Sequence, residues 1–227
     1  MSILYNLLNR ESQSGGKAKV RVHRMIDLLS QLFTNPEYTK MIQQKLPPAF
    51  QSVEDELKGN PAVGLLREQV ILGMLIAFLG ERHIQLIKSG VNPDIDCFVD
   101  TEPLSIKTVS LAGGIRLKWT SNAVKAKEFM DVYEPMSHLL VVRIIWGGVG
   151  AMRLIPLDLQ KRVFTQIGLS RYLEYRGATN TRGVNLSVEA ESALIRDEQS
   201  VSLDISWRKS EALINPLDKW IDYWRAR

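Results

Sequence analysis

Residues 93–107 read Pro-Asp-Ile-Asp-Cys-Phe-Val-Asp-Thr-Glu-Pro-Leu-Ser-Ile-Lys, and this stretch has the pattern of a β-hairpin. Residues 95–99 and 104–109 are short apolar segments rich in β-branched side chains, which favour strands. Residues 100–103 separate them with side chains that are common in turns. We therefore predict two antiparallel strands that meet at this turn.

A register centred on the turn pairs Val99 with Leu104 and Asp96 with Lys107. Because side chains alternate along a strand, the polar and apolar residues of the hairpin are predicted to lie on opposite faces. The polar face carries Asp94, Asp96, Ser105 and Lys107, and the apolar face carries Cys97, Val99, Leu104 and Ile106. A carboxylate opposite a lysine on rigid strands can hold a divalent metal and the water that it activates. The alternative is an edge hairpin with a solvent-exposed Asp–Lys pair.

The polar residues of the hairpin resemble the catalytic motif of the PD-(D/E)XK nuclease superfamily, which includes most type II restriction endonucleases. The resemblance rests on Pro93-Asp94 with Asp96, followed by Ser105-Ile106-Lys107. Ser105 stands where these nucleases usually have Asp or Glu, and members with serine there supply the carboxylate from another element. The resemblance implies an α/β fold with a restriction-endonuclease-like core, in which a mixed β-sheet is flanked by helices.

Residues 63–89 have the pattern of one long helix, whose apolar stripe is predicted to include Leu65, Leu72, Leu75 and Leu79. Glu68 falls on that stripe, and a buried carboxylate must be neutralised, paired or bound to a metal. In the nucleases that the hairpin resembles, a helix before the Pro-Asp strand often delivers a glutamate to the metal site. The resemblance therefore implies that Glu68 supplies the acid that Ser105 does not. A pair between Glu68 and Arg67 or a lysine is the alternative, and Glu81 is a rival candidate.

The resemblance also implies a role for each polar residue of the site. Asp96 and Glu68 are expected to bind Mg²⁺, with Asp94 as a second ligand or as the main one. Lys107 is expected to orient or deprotonate the attacking water and to stabilise the pentavalent phosphorane. Ser105 is expected to hydrogen-bond a metal-bound water. Together these roles imply Mg²⁺-dependent hydrolysis of phosphodiester bonds.

The segment between residues 175 and 183 is the second candidate functional element. Arg176 and Arg182 can each make paired hydrogen bonds with the edge of a guanine, and Asn180 can do the same with an adenine. The same groups could instead hold phosphates. Lys125, on a helix predicted over residues 123–133, is a further candidate for DNA contact.

We expect a sequence-specific endonuclease for double-stranded DNA, a type II restriction enzyme that acts as a homodimer. A twofold dimer matches the symmetry of a palindromic site. Two alternatives remain, a repair or strand-nicking endonuclease of the same superfamily and a non-catalytic DNA-binding protein.

The chain of 227 residues is predicted to form one nuclease domain, with a helical DNA-contact or dimerisation region at 1–60, a catalytic core at 61–160 and a recognition and C-terminal helix region at 161–227. The net charge of +4 suits DNA binding without requiring it. The single Cys97 excludes an internal disulfide and a cysteine-rich zinc site. No signal-peptide pattern is present at the first residues, and the longest apolar run is too short to span a bilayer, so we expect a cytoplasmic protein.

The remaining elements follow from apolar periodicity and from Pro and Gly positions. Asn35-Pro36 is predicted to start a helix that ends before Pro47-Pro48, and Gly113-Gly114 is predicted to join two strands into a meander. Helices are also predicted at 20–33, 158–174 and 189–196, and strands at 138–146, 151–155, 184–188 and 200–207, with 138–146 central.

Overall fold

A mixed β-sheet with helices on both faces is the framework of the computed structural model, which describes residues 17–57, 62–87, 94–110, 113–175 and 183–209. The helices are α1 (Lys17–Thr34), α2 (Pro36–Glu56), α3 (Val63–Leu79), α4 (Ala123–Asp131), α5 (Leu157–Ile167), α6 (Leu169–Tyr172) and α7 (Val188–Arg196), with a 3-10 turn at Glu81–His83. The strands are β1 (Ile84–Leu86), β2 (Cys97–Val99), β3 (Glu102–Ser110), β4 (Arg116–Trp119), β5 (His138–Ile144), β6 (Val149–Ile155), β7 (Leu173–Tyr175), β8 (Gly183–Leu186) and β9 (Val201–Ser206). The predicted fold class is confirmed.

The six-stranded sheet has the order β1-β2-β3-β5-β6-β9. Strands β3 and β5 are parallel, and every other neighbouring pair is antiparallel. A second, three-stranded antiparallel sheet has the order β4-β8-β7. The predicted meander through Gly113-Gly114 was therefore wrong. Strand β3 is already paired with β2 on one side and β5 on the other, so no edge is left for β4.

Each face of the six-stranded sheet is covered by its own hydrophobic core. On β5, Leu140 and Val142 pack into the core that contains residues of α1, α2 and α3. Leu139 and Val141 pack into the core that contains residues of α4, α5 and the second sheet. A strand buried on both faces reads as a continuous apolar run, which confirms the prediction of a central strand here.

Helix α2 continues through two prolines, contrary to the prediction that it ends before Pro47. Its start is as predicted, because the Asn35 side chain accepts a hydrogen bond from the backbone N–H of Glu37 at 2.9 Å. Pro47 is buried, and the Phe50 ring lies 5.4 Å from the ring of Trp207. We attribute the continuation to the burial of this face, which offsets a proline cost of about 3 kcal/mol.

Two other predicted helices are shorter than expected, and each ends at a glycine with a left-handed backbone. Gly80 has φ 89° and ends α3 at Leu79, so the helix predicted over 63–89 was too long. Gly168 has φ 77° and divides the predicted 158–174 helix into α5 and α6, after which the chain enters β7. Glycine reaches such φ values at little cost, so both positions favour a helix end. Within the ranges given above, no helix is long and apolar enough to cross a membrane.

Candidate active site

The β2–β3 hairpin is tighter than the sequence predicts. Val99 pairs with Glu102, so only Asp100 and Thr101 form the turn, with φ values of 46° and 82°. Two consecutive positive φ angles are the mark of a type I′ turn, which matches the twist of hairpin strands. The carboxylate of Asp100 lies 2.7 Å from Nδ1 of His83, and the backbone N–H of Asp100 donates to the His83 carbonyl at 3.0 Å. These contacts hold a turn that is unfavourable for a threonine.

The predicted register was wrong by two residues, since Cys97 rather than Val99 pairs with Leu104. A shift by an even number of residues leaves every side chain on its predicted face. Cys97, Val99, Leu104 and Ile106 are accordingly all fully buried. The prediction that polar and apolar side chains lie on opposite faces is confirmed, although Asp96 does not lie directly opposite Lys107.

Asp96 is held by the strand that carries the Ser-Ile-Lys triplet. Its Oδ2 atom accepts hydrogen bonds from the backbone N–H of Ile106 at 2.6 Å and from the hydroxyl of Ser105 at 3.2 Å. The ammonium of Lys107 lies 4.0 Å from the same oxygen. Asp96, Ser105 and Lys107 therefore form one cluster on the polar face of the hairpin.

Helix α3 brings Glu68 to this cluster. Burial raises the pKa of Glu68 to about 7, while the charge of Lys107 lowers that pKa and the charge of Asp96 raises it. Because the charges of Asp96 and Lys107 both act on the Glu68 carboxylate, Glu68 lies beside the hairpin cluster. Glu81 is exposed in the 3-10 turn beyond the helix.

The buried stripe of α3 differs from the predicted one. It consists of Arg67, Ile71, Leu75 and Leu79, whereas Leu65 is 58% exposed. Glu68 therefore lies beside the buried stripe and is only partly buried. The two stripes differ because a helix with apolar residues on most of its faces does not show by periodicity alone which one is buried.

Arg67 anchors the helix that carries Glu68. Its guanidinium donates to the Ser110 hydroxyl at the end of β3, at 3.0 Å, and forms an ion pair with Glu54 of α2. The same Glu54 oxygen accepts a hydrogen bond from Nε1 of Trp146 at 2.9 Å. Arg67 thus ties α3 to the strand that carries Lys107, and its observed partner is Glu54 rather than Glu68. The sequence signal for Arg67 is its spacing of four residues from Ile71.

Asp94 lies at the same end of the hairpin but is paired with Lys118 of β4. Both carboxylate oxygens of Asp94 lie 2.8 Å from the Lys118 ammonium. Lys118 was not singled out from the sequence, because it belongs to a different sheet and no local pattern connects it to the hairpin. Asp94, Ser105 and Lys107 line a cavity of about 310 Å³.

The donor set of the site fits a magnesium ion that is held jointly with a substrate. In the part of the chain that the structure describes, no group of three or more His, Cys, Asp and Glu side chains is arranged to hold a metal. Mg²⁺, however, is usually bound by one or two carboxylates together with waters and substrate phosphates. Asp96 and Glu68 supply two carboxylates. Burial is the main reason that the pKa of Glu68 is raised and the charge of Asp96 adds to it, so a cation bound by both would favour the ionised form.

The predicted DNA contacts fall into two groups. Lys125 is exposed on α4, with its ammonium 2.7 Å from the carboxylate of Glu128. Arg176, Asn180 and Arg182 lie between β7 and β8, outside the described residues, as does Pro93 of the catalytic motif. The roles assigned to these residues stay predictions.

Comparison with known proteins connects this geometry to a family. The family model of restriction endonuclease ThaI matches residues 32–226. The chain belongs to the ThaI restriction endonuclease family. A solved structure described as a restriction endonuclease in complex with substrate DNA is similar, with a TM-score of 0.79 and 33% sequence identity over 88% of this chain and 99% of that one. A search of the curated proteins finds no match.

Membership of the ThaI family confirms the resemblance to type II restriction endonucleases that rested on the hairpin motif. This ThaI-family chain is therefore a sequence-specific DNA endonuclease.

Proposed function

We propose that this restriction endonuclease hydrolyses phosphodiester bonds of double-stranded DNA with Mg²⁺ as its cofactor, at the cluster formed by Glu68, Asp96, Ser105 and Lys107. One observation carries the proposal. Glu68, from a separate helix, lies where the charges of Asp96 and Lys107 both act on it, beside a triplet that lacks its usual acid. Burial makes the Glu68 carboxylate costly to ionise, and a cation bound at the cluster would offset that cost.

The division of labour follows from the contacts. Asp96 and Glu68 would hold the Mg²⁺ ion, which when bound neutralises phosphate charge and makes a nearby water more acidic. Ser105 and the backbone N–H of Ile106 fix the orientation of the Asp96 carboxylate. Lys107 orients the attacking water and balances the negative charge that develops on the phosphoryl oxygens. Asp94, which is paired with Lys118, serves as a second ligand only if that pair opens.

Plasmid cleavage with Mg²⁺ and with EDTA tests the proposal. We expect discrete linear fragments with Mg²⁺ and intact plasmid with EDTA. Nicked circles without linear products would favour the strand-nicking alternative, and intact plasmid under both conditions would favour a non-catalytic DNA-binding protein. A readout that does not depend on activity is the melting temperature, which Mg²⁺ should raise in the wild type and not in an Asp96→Asn, Glu68→Gln double variant.

We also infer that the enzyme works as a homodimer, because a twofold assembly places one active site on each strand of a palindromic sequence. Arg176, Asn180 and Arg182 are proposed to read base edges, and Lys125 to contact the backbone. Arg182→Ala should weaken binding to the cognate site by about 1–3 kcal/mol and relax discrimination at one base pair. A uniform loss on all sequences would contradict base reading, and a monomer on cognate DNA in sedimentation would contradict the dimer.

A further inference from the structure

A β-bulge in strand β4 places Arg116 and Trp119 on the same face of the three-stranded sheet. Arg116 and Lys118 pair with adjacent residues of β8, so the register shifts and Leu117 is the extra residue. In a regular strand, two residues three positions apart point to opposite faces, and a bulge reverses that relation. The guanidinium carbon of Arg116 accordingly lies 3.8 Å from the centroid of the Trp119 ring.

The Arg116 side chain is held in place from two sides. Trp119 supplies a planar surface, and 63% of that residue remains exposed. On the neighbouring strand β8, a Cβ atom added to Gly183 would lie 2.8 Å from Nε of Arg116, so the arginine side chain packs directly against the Gly183 backbone. Stacking on tryptophan fixes the plane of a guanidinium and reduces the entropy lost when it binds a ligand.

This guanidinium has no counter-ion in the described part of the chain. Four of the other described arginines are paired with carboxylates: Arg67 with Glu54, Arg143 with Glu191, Arg162 with Asp197 and Arg171 with Glu189. The Nε atom of Arg116 is buried without a hydrogen-bond partner, and burial lowers the pKa of its guanidinium. A partly desolvated cation without a partner is costly, and an anionic ligand would remove that cost.

The position of β4 indicates which anion is available. Lys118 is two residues from Arg116, and its ammonium contacts Asp94 at the edge of the catalytic hairpin. Lys118 precedes Trp119 and therefore points to the opposite face of β4 from Arg116 and Trp119, so β4 borders the hairpin through Lys118 while Arg116 faces away from that contact. The polyanionic backbone of the DNA on which a restriction endonuclease acts is a source of a counter-ion for Arg116.

We propose that Arg116, held flat on Trp119, binds a backbone phosphate of the DNA. The proposal rests on the proposed function in that it takes double-stranded DNA as the bound substrate. It assigns Arg116 to positioning the DNA, because a phosphate contact sets register and orientation without reading sequence.

Arg116→Ala tests the contact through DNA affinity, measured by fluorescence anisotropy on labelled duplexes with Ca²⁺ in place of Mg²⁺ and again in EDTA. We expect the affinity to fall roughly tenfold or more on cognate and unrelated duplexes alike, because a charge-assisted hydrogen bond is lost. The slope of log K against log salt should become less steep by about 0.9, the value for one phosphate contact. Arg162→Ala is the matched control, since it removes the same charge from an arginine that is paired with Asp197, and it should leave the affinity unchanged.

Gly183→Ala tests the geometry without changing any charge. The added methyl group would displace the guanidinium from its position against the Gly183 backbone, so we expect a partial loss of DNA affinity. In the Arg116→Ala background the same change should cost nothing further, because no guanidinium remains to be displaced. A full additional loss in the double variant would show that Gly183 acts independently of Arg116 and would remove this support for the packing of Arg116 against Gly183.

Three outcomes would overturn the phosphate assignment. These are an unchanged affinity in Arg116→Ala, an equal loss in Arg162→Ala, and a loss confined to the cognate duplex, which would make Arg116 a base reader. Failure of the proposed function is seen separately, as a wild type that binds DNA but cuts no plasmid with Mg²⁺. A wild type that cuts, together with an Arg116→Ala variant that binds normally, overturns the present inference alone.

Discussion

Lys107→Ala is expected to abolish DNA cleavage, with a single-turnover rate about a thousandfold or more below that of the wild type. The Lys107 ammonium lies 4.0 Å from Oδ2 of Asp96 and lines the cavity beside the hairpin, where the proposed function places the attacking water and the phosphoryl oxygens. DNA affinity should stay nearly unchanged, because the Lys107 ammonium already faces the Asp96 carboxylate and so adds little net charge for phosphate binding, unlike the unpaired Arg116.

Rapid-quench measurement of cleavage at saturating enzyme separates the chemical step from DNA binding. Lys161→Ala is a matched control, because Lys161 is an exposed lysine of α5 and should leave the rate unchanged. A wild-type rate in Lys107→Ala would remove Lys107 from the mechanism. A low rate that is fully restored by more enzyme would assign Lys107 to DNA binding instead of catalysis.

Glu68→Gln is expected to be inactive and yet more stable than the wild type. The activity falls because the variant loses one of the two carboxylates proposed to hold Mg²⁺. The stability rises because the folded protein holds Glu68 with a pKa of about 7, against 4.5 as the ordinary value. Because the pKa of this carboxyl group is raised, Glu68 does not lower the free energy of unfolding of the wild type below about pH 4.5. As the pH rises through about 7, that free energy falls.

Urea unfolding in EDTA measures this difference. At pH 8 the free energy of unfolding of Glu68→Gln should exceed that of the wild type by roughly 2 kcal/mol, and the gap should close as the pH falls toward 5. Glu54→Gln is the matched control, and it should lower the free energy of unfolding at every pH in this range, because it removes the partner of buried Arg67. A Glu68→Gln variant that is no more stable than the wild type at pH 8 would show that burial does not raise the pKa of this carboxyl group.

The hairpin shows why the faces of its strands were predictable and its register was not. Which face a side chain occupies depends only on alternation along the strand, so the buried set of Cys97, Val99, Leu104 and Ile106 could be read from the residues. The register depends on the turn, and Asp100 with Thr101 adopts a two-residue turn whose positive φ is unusual for a threonine and which is held by His83 from another part of the chain. No local pattern reports such a contact.

Glu68 and Arg67 show the same division within one helix. Glu68 was singled out because the triplet lacks an acid and a resembled family supplies one from a helix. The buried stripe that contains Arg67 was missed, because α3 is apolar on most of its surface and only its packing on β3 and α2 selects the buried face.

The sequence by itself determined the mixed sheet with flanking helices, the central strand β5, the two faces of the catalytic hairpin and the candidate set Glu68, Asp96, Ser105 and Lys107. The central strand and the faces of the hairpin follow from short-range periodicity, whereas the mixed sheet and the candidate set follow from the family resemblance that a compact motif carries. Only the tertiary structure decided the separate three-stranded sheet, the pairing of Asp94 with Lys118, the anchoring of α3 by Arg67 and the stacking of Arg116 on Trp119. Most of these depend on contacts between segments far apart in the chain, and the last depends on a bulge that β4 adopts only when it pairs with β8.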